Sequence, residues 1–449
     1  VDVELTILQL NQLEALANFG IGTSIYQISA PELHDLGDEP NQWDIFSRKY
    51  RTIPCSNTTV SAWETIEQYL PILADMGFKQ LRLSVEWNYI EPSPGQFDST
   101  ALEKYRLIAQ RCIGLGIEPM FTLYHFTQPA WFMKKGGFEK EENISLFIHY
   151  CQTVINYLKG DVKWWCSINE PAVEAFAGYW LGIFPPHRYL NFNRAALILL
   201  NLLKAHTELF NLYQHDCQIH LGLVHNVLHF ESSYKVLNQL FARPISIFTN
   251  ELVWQYLEQG RFNYNGIKHV DTRPKANCSY VNIYGSVQLG LLGPTCQSHQ
   301  VMGDMHIALY PESYAFAFDH AARLKLPIYV TETGIADAKD TVRPQFIIDF
   351  LRVVLDKIEQ GMDIRGLYFW TFKDNYEWHQ GNTISFGLFN EQDIPRKSAY
   401  LFQWIMFQFH QVLKMHSDTH LILEQWRMRL AYAESKVKQN DFNEFIQNK

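Results

Sequence analysis

No run of eighteen apolar residues occurs in the sequence, so no segment reads as a membrane-spanning helix. Positive charge is in short supply: 38 Lys and Arg stand against 47 Asp and Glu, for a net charge of −9. That sign argues against nucleic acid or an anionic membrane as a main partner. Charged residues make up only 19% and apolar residues 47%, which excludes a disordered chain. Cys55, Cys112, Cys151, Cys166, Cys217, Cys278 and Cys296 form no CxxC and no metal-ligand spacing. Odd in number and mostly set in apolar runs, they read as buried, reduced thiols. Reduced thiols point to a cytoplasmic protein, although a start at Val1 rather than Met is compatible with a removed leader. A Pro-, Gly- or Ser-rich linker is also missing, as is any internal repeat. The 449 residues therefore read as a single unit.

What is present is an alternation. Short apolar strands are expected at Phe19–Ile28, Lys79–Trp87, Pro119–His125, Trp164–Glu170, His220–Asn226, Ser279–Tyr284, Ile328–Glu332 and Ile364–Thr371. Between them lie helical patterns, for example at 62–76, 99–113, 141–158, 193–215, 312–324, 344–360 and 397–413. Short apolar runs fit strands covered on both faces. Strict strand–helix alternation gives a parallel sheet with right-handed crossovers, and eight units close into a (β/α)₈ TIM barrel. The glycines of the first strand, Gly20 and Gly22, predict close backbone approach. After residue 413, Leu421, Ile422, Trp426 and Leu430 predict an amphipathic helix lying on the barrel.

In such a barrel the carboxyl ends of the strands share one pocket. Here those ends carry Gln27, Glu86 or Trp87, His125, Asn169, Glu170, Asn226, Asn282, Tyr284, Glu332 and Trp370. Amides and carboxylates can fork onto hydroxyls, and flat rings can cover the apolar face of a sugar. Glu170 and Glu332 each end a buried strand, where an unused charge is costly. As isolated residues, either could be a structural, ion-paired carboxylate. Together with Asn169 and Pro171 they read as a working pair, suited to glycoside hydrolysis and about 5 Å apart. His220, His225 and His229 lack a common face and are not a metal set.

The motifs are specific. SINEP at 167–171 and VTETG at 330–334 resemble the acid/base and nucleophile motifs of glycoside hydrolase family 1, the β-glucosidase type. YFWTFKDNYEWHQG, Tyr368 to Gly381, resembles that family's sugar-binding strand and loop. TSIYQI, RLSVEWNYIEPSPGQFD and TLYHFTQP follow in the family's order, so the likeness spans about residues 17–412. The resemblance implies that Glu170 is the acid/base and Glu332 the nucleophile. It implies that Gln27, His125, Asn169 and Glu377 hold hydroxyls, with Trp370 as platform and Trp378 nearby. Tyr284 and Arg82 would position the nucleophile, and Asn282 would lie close to both glutamates. Phe126-Thr127, Thr333 and Ser385 depart from the usual Trp-Asp, Asn and Arg, which affects the aglycone preference.

The expected function is a retaining β-glycosidase acting on β-D-glucosyl, β-galactosyl or β-fucosyl residues of a small glycoside or oligosaccharide, without metal or cofactor. Glu170 and Glu332 would work through a covalent glycosyl-enzyme, with a bell-shaped rate profile on the acid side of neutral. A transglycosidase and an inactive carbohydrate-binding barrel are the alternatives, together with a 6-phospho-β-glycosidase. The Glu377-Trp378 pattern argues against the last.

Overall fold

The computed structural model describes residues 2–29, 40–50, 61–291, 293–297 and 300–447. Cys55 lies outside them. Eight parallel strands form the barrel: β1 (Gly20–Thr23), β2 (Gln80–Ser84), β3 (Glu118–Thr122), β4 (Trp164–Asn169), β5 (His220–Glu231), β6 (Ser279–Gly290), β7 (Ile328–Thr333) and β8 (Ile364–Trp370). Each pairs with the next in parallel, and β8 pairs back onto β1, which closes the sheet. Helices run between the strands and cover the outer face.

Local chemistry sets the element ends. The helix Ala62–Met76 starts on a capping box, in which Ser61 and Glu64 each bond the other's backbone N–H. It stops at Gly77, whose φ of 100° suits a residue without a Cβ. Gly20 and Gly22 admit two rings from the neighbouring strand. A Cβ on Gly20 would collide with the Tyr368 ring, and one on Gly22 would lie 3.2 Å from Cε3 of Trp370. Trp370 can therefore lie across the barrel mouth because β1 offers no side chain there.

Several strand ends differ from the sequence-based ones: β2 stops at Ser84 and β3 at Thr122, three residues before the expected Trp87 and His125, and larger shifts follow. The first strand ends at Thr23, and Ile25–Ile28 forms a helical turn. The Ile25 N–H donates to Ser84 Oγ at 2.8 Å and the Ile28 N–H to the Ser24 carbonyl at 3.1 Å, which curls the chain over the barrel rim. Gln27 thus sits on a turn and not on a strand. β5 and β6 run beyond Asn226 and Tyr284, paired as far as Glu231 and Gln288. This long-range pairing lifts a ribbon above the rim.

The tail forms the helix Thr419–Lys438, with Ile422, Trp426 and Leu430 fully buried. Leu421 is only half-buried and Leu423 takes its expected place in the contact. Trp426 stacks on Phe409 with ring centroids 4.3 Å apart, and its Nε1–H donates to the Phe409 carbonyl at 3.1 Å. Trp426→Ala is expected to cost about 3–5 kcal/mol through the cavity it leaves. Denaturant unfolding measures this, with kcat of the folded variant unchanged because the helix lies outside the barrel mouth.

Candidate active site

Both glutamates are aimed by irregular strand ends. Between Cys166 and Asn169, β4 carries one residue more than β5 opposite it. Between Val330 and Glu332, β7 carries one more than β6. Such bulges re-aim the side chains that follow them. Glu170 then takes φ 46° and ψ 57° directly before Pro171. Left-handed backbone at a non-glycine residue costs about 1–3 kcal/mol and persists where the surroundings dictate it. Phe126 and Trp378 also have positive φ, at 62° and 48°, and both face the same cavity as Glu170.

That cavity, of about 180 Å³, is lined by His125, Asn169, Glu170, Tyr284, Glu332, Trp370, Glu377 and Trp378 among others. Glu332 is buried, its Oε1 in an ion pair with Arg82, its Oε2 accepting from the Tyr284 hydroxyl at 2.6 Å. Arg82 Nη2 donates to Asn169 Oδ1 at 2.7 Å. Glu170 Oε1 accepts from Asn226 Nδ2 and Asn282 Nδ2, each at 2.7 Å. Asn282 is itself fixed by the Thr331 hydroxyl, which donates to its Oδ1 at 2.7 Å. The Asn169 amide meets His125 Nε2 at 3.3 Å, and Trp370 Nε1–H donates to Glu377 Oε1 at 3.2 Å. His125 lies stacked between Trp370 and Trp378, its centroid 5.8 Å from each ring.

The two carboxyls meet unlike surroundings. Burial, and then the negative charge of Glu332, push Glu170 up to about 8. Neutral amides hold Glu170, whereas a guanidinium and a phenol hold Glu332. Glu377 is also pushed up to about 8, first by burial and then by neighbouring carboxylates, against the opposing Trp370 bond. Burial followed by the Arg82 charge drives His125 well below its usual range, so its ring is neutral. Burial and Glu332 raise Tyr284, which keeps the hydroxyl as a donor.

Of the site residues singled out in the sequence, His125, Asn169, Glu170, Asn226, Tyr284, Glu332, Trp370, Glu377 and Trp378 line this cavity. Arg82 and Asn282 stand behind it, bonded to the pair. Gln27 reaches it indirectly. Its Nε2 donates to the Tyr376 carbonyl at 2.9 Å, one residue before Glu377, while its buried Oε1 has no partner among the described residues. Asn226 was visible in the sequence only as a strand end; its bond to Glu170 depends on β5 lying beside β4. The apolar lining from Val173, Leu228, Met305, Ile307 and Phe386 had no sequence signal, because it comes from four separate segments. Of the departures, Thr127 donates to buried Glu86 at 2.6 Å and Phe126 faces the cavity. His220, His225 and His229 turn to separate ring partners, Trp164, Trp254 and Phe316. A wider hollow of about 420 Å³ lies at the amino-terminal end of the strands, among Lys79, Glu118 and Lys163, far from both glutamates.

Tyr284→Phe removes one donor from Glu332 and nothing else of size. A hydrogen bond to a charged group contributes about 1.5–3 kcal/mol. Steady-state rates should therefore show kcat/KM for an aryl β-glycoside lower by roughly 10- to 100-fold, with unfolding unchanged.

A closed parallel barrel with paired carboxyls at the carboxyl ends of its strands defines the class: the protein is a glycoside hydrolase. The chain belongs to glycosyl hydrolase family 1, whose model matches residues 12–276 and 314–409. It is 26% identical to Beta-glucosidase 16 of Arabidopsis thaliana over 437 residues, covering 82% of this chain and 85% of that protein. It is 23% identical to a 6-phospho-beta-galactosidase of Clostridium acetobutylicum, covering 87% and 96%. Among solved structures, a beta-glycosidase from Pyrococcus horikoshii superposes with a TM-score of 0.76 at 30% identity, over 86% of this chain and 93% of that one.

Proposed function

We propose that the protein is a retaining β-glycosidase that removes β-D-glucosyl or closely related neutral sugars by double displacement. The observation that carries this reading is the pair of carboxyls held in one cavity by opposite chemistry. Glu170, pushed up to about 8, carries a proton at neutral pH and can donate it to the leaving oxygen. Glu332, met by Arg82 and Tyr284, is the carboxylate that attacks the anomeric carbon. As the glycosyl ester forms, the C–O bond to the leaving group breaks and that oxygen takes the Glu170 proton. Water then gives a proton back to Glu170 and attacks the same carbon from the side the leaving group left. Esterification removes the charge of Glu332, so Glu170 becomes more acidic at the step where it must act as base. The alkaline limb of the rate profile falls near pH 8, where Glu170 loses its proton.

Trp370 supplies a flat face for the sugar, and Glu377, Asn169, His125 and Gln27 supply its hydroxyl partners. These groups suit gluco, galacto and fuco epimers alike. The six described cysteines are unpaired, which supports a reducing, cytoplasmic setting.

A phosphosugar is the rival substrate, since one relative carries that activity in its name. No lysine or arginine is among the described residues lining the cavity, so a phosphate dianion there would be buried without a cation. Initial rates on aryl β-glucoside, β-galactoside, β-fucoside and their 6-phosphates test both readings. Turnover of neutral sugars, at least 100-fold above the phosphosugars, is expected. Preference for a 6-phosphate would overturn the neutral assignment.

A further inference from the structure

On the leaving-group side of the cavity the chemistry changes. Val173 stands one turn beyond Glu170 on the helix Pro171–Tyr179, and Leu228 stands two residues beyond Asn226 on the same face of β5. Met305 and Ile307 also line the cavity. These four described residues bring an apolar lining to the acid/base and Asn226. The apolar surface then continues outward. Val173, Phe176 and Trp180 fall at i, i+3 and i+7, so they share one helix face, and each is half-buried. The Phe176 and Trp180 rings are 5.2 Å apart. Trp180 in turn rests on Phe192 at 4.7 Å and Phe248 at 4.8 Å. Around this end Leu181 is 45% exposed, Leu190 72%, Phe192 37% and Ile247 39%. The Leu190 N–H is bonded to the Trp180 carbonyl at 3.0 Å, and Leu190 is held at φ 49°, rare for a bulky residue.

Single exposed apolar side chains are ordinary. These gather into an apolar track at the carboxyl end of the helix that follows Glu170, the helix whose first turn puts Val173 in the cavity. We infer that this track seats the hydrocarbon tail of an amphiphilic β-glycoside, so that the preferred substrates carry a long alkyl or isoprenoid aglycone. The inference rests on the glycosidase reading and deepens it.

The test is kcat/KM for butyl, hexyl and octyl β-glycosides below their micelle-forming concentrations, beside the nitrophenyl glycoside of the same sugar and a cello-oligosaccharide pair. A fully buried methylene would raise kcat/KM roughly fourfold, and on a half-open track the expected rise is about twofold per methylene. Leu181→Asp/Leu190→Asp, and Leu190→Ser as a milder second variant, should bring the octyl-to-butyl ratio toward one. Nitrophenyl turnover should stay at the wild-type level, which also shows that each variant is folded. A flat alkyl series in an enzyme that cleaves the nitrophenyl glycoside overturns the inference and leaves the glycosidase reading standing. An octyl preference that survives both variants, or a gain with the third sugar of a cello-oligosaccharide instead of with methylenes, overturns it as well. Absence of nitrophenyl turnover in the wild type fails the glycosidase reading first, and the inference with it.

Discussion

Glu332→Ala should lose on the order of 10⁴–10⁶ in kcat on every β-glycoside, the scale seen when a catalytic nucleophile is removed from a unit that acts together. On the proposed mechanism the variant, which still holds Glu170, the amides and the Trp370 ring, should bind sugar and still protonate a leaving group. On that reading it lacks the partner that accepts the anomeric carbon. A small anion such as azide can enter the space freed by the side chain and attack from the same face. Rates with an activated aryl β-glycoside should then recover, and the product should be the α-glycosyl azide. NMR of that product reads the stereochemistry directly; a β-azide would contradict an attack from the Glu332 side. Removing Glu332 also takes the carboxylate from the buried Arg82, leaving it with the neutral Asn169 Oδ1 and, at 3.4 Å, the Thr331 carbonyl. Glu332→Gln, which fills the space, controls for that loss of stability. In both variants Glu170 should titrate below its wild-type value, because the like charge that raises it after burial is gone.

The barrel was legible because each strand is a short apolar run closed by a turn signal, and because the paired motifs fall at strand ends. Trp164–Asn169 and Ile328–Thr333 lie where the pattern puts them. The aim of the two glutamates was not legible. It comes from a bulge between β4 and β5, another between β6 and β7, and a left-handed backbone at Glu170, all products of pairing between distant segments. Gln27 moved from strand to turn for the same kind of reason, since its turn is anchored by Ser84 about sixty positions away. The outward apolar track was invisible in the sequence, where nothing marks Phe176 and Trp180 as one stripe. Only the surroundings show that this stripe is half open and starts in the cavity.

Glu170→Gln is the second decisive substitution, and its effect should depend on the leaving group. General acid catalysis contributes about 10²–10⁴-fold, so alkyl β-glycosides, whose alkoxides leave poorly, should lose that much in kcat/KM. A dinitrophenyl β-glycoside, which needs no proton to depart, should lose little in the first step and then stall, because no base activates water. Pre-steady-state mixing should therefore show a burst of dinitrophenol followed by slow turnover. The alkaline limb near pH 8 should disappear from the kcat/KM profile for that substrate unless Glu377, raised to a similar value, also shapes it. Glu377→Gln separates the two, because it weakens sugar binding without abolishing the burst. The same substitution at Glu170 carries a sign in stability. A carboxyl whose folded value lies near 8, above its unfolded value, binds a proton on folding between about pH 4.5 and 8. The wild type then loses stability as pH rises through that window, and the part due to Glu170 is absent in the glutamine variant. Thermal melts from pH 5 to 9 should fall less steeply for Glu170→Gln than for the wild type, with the variant the more stable of the two at pH 9. Equal slopes would mean that Glu170 is already ionised in the free enzyme, and would remove it as the proton donor.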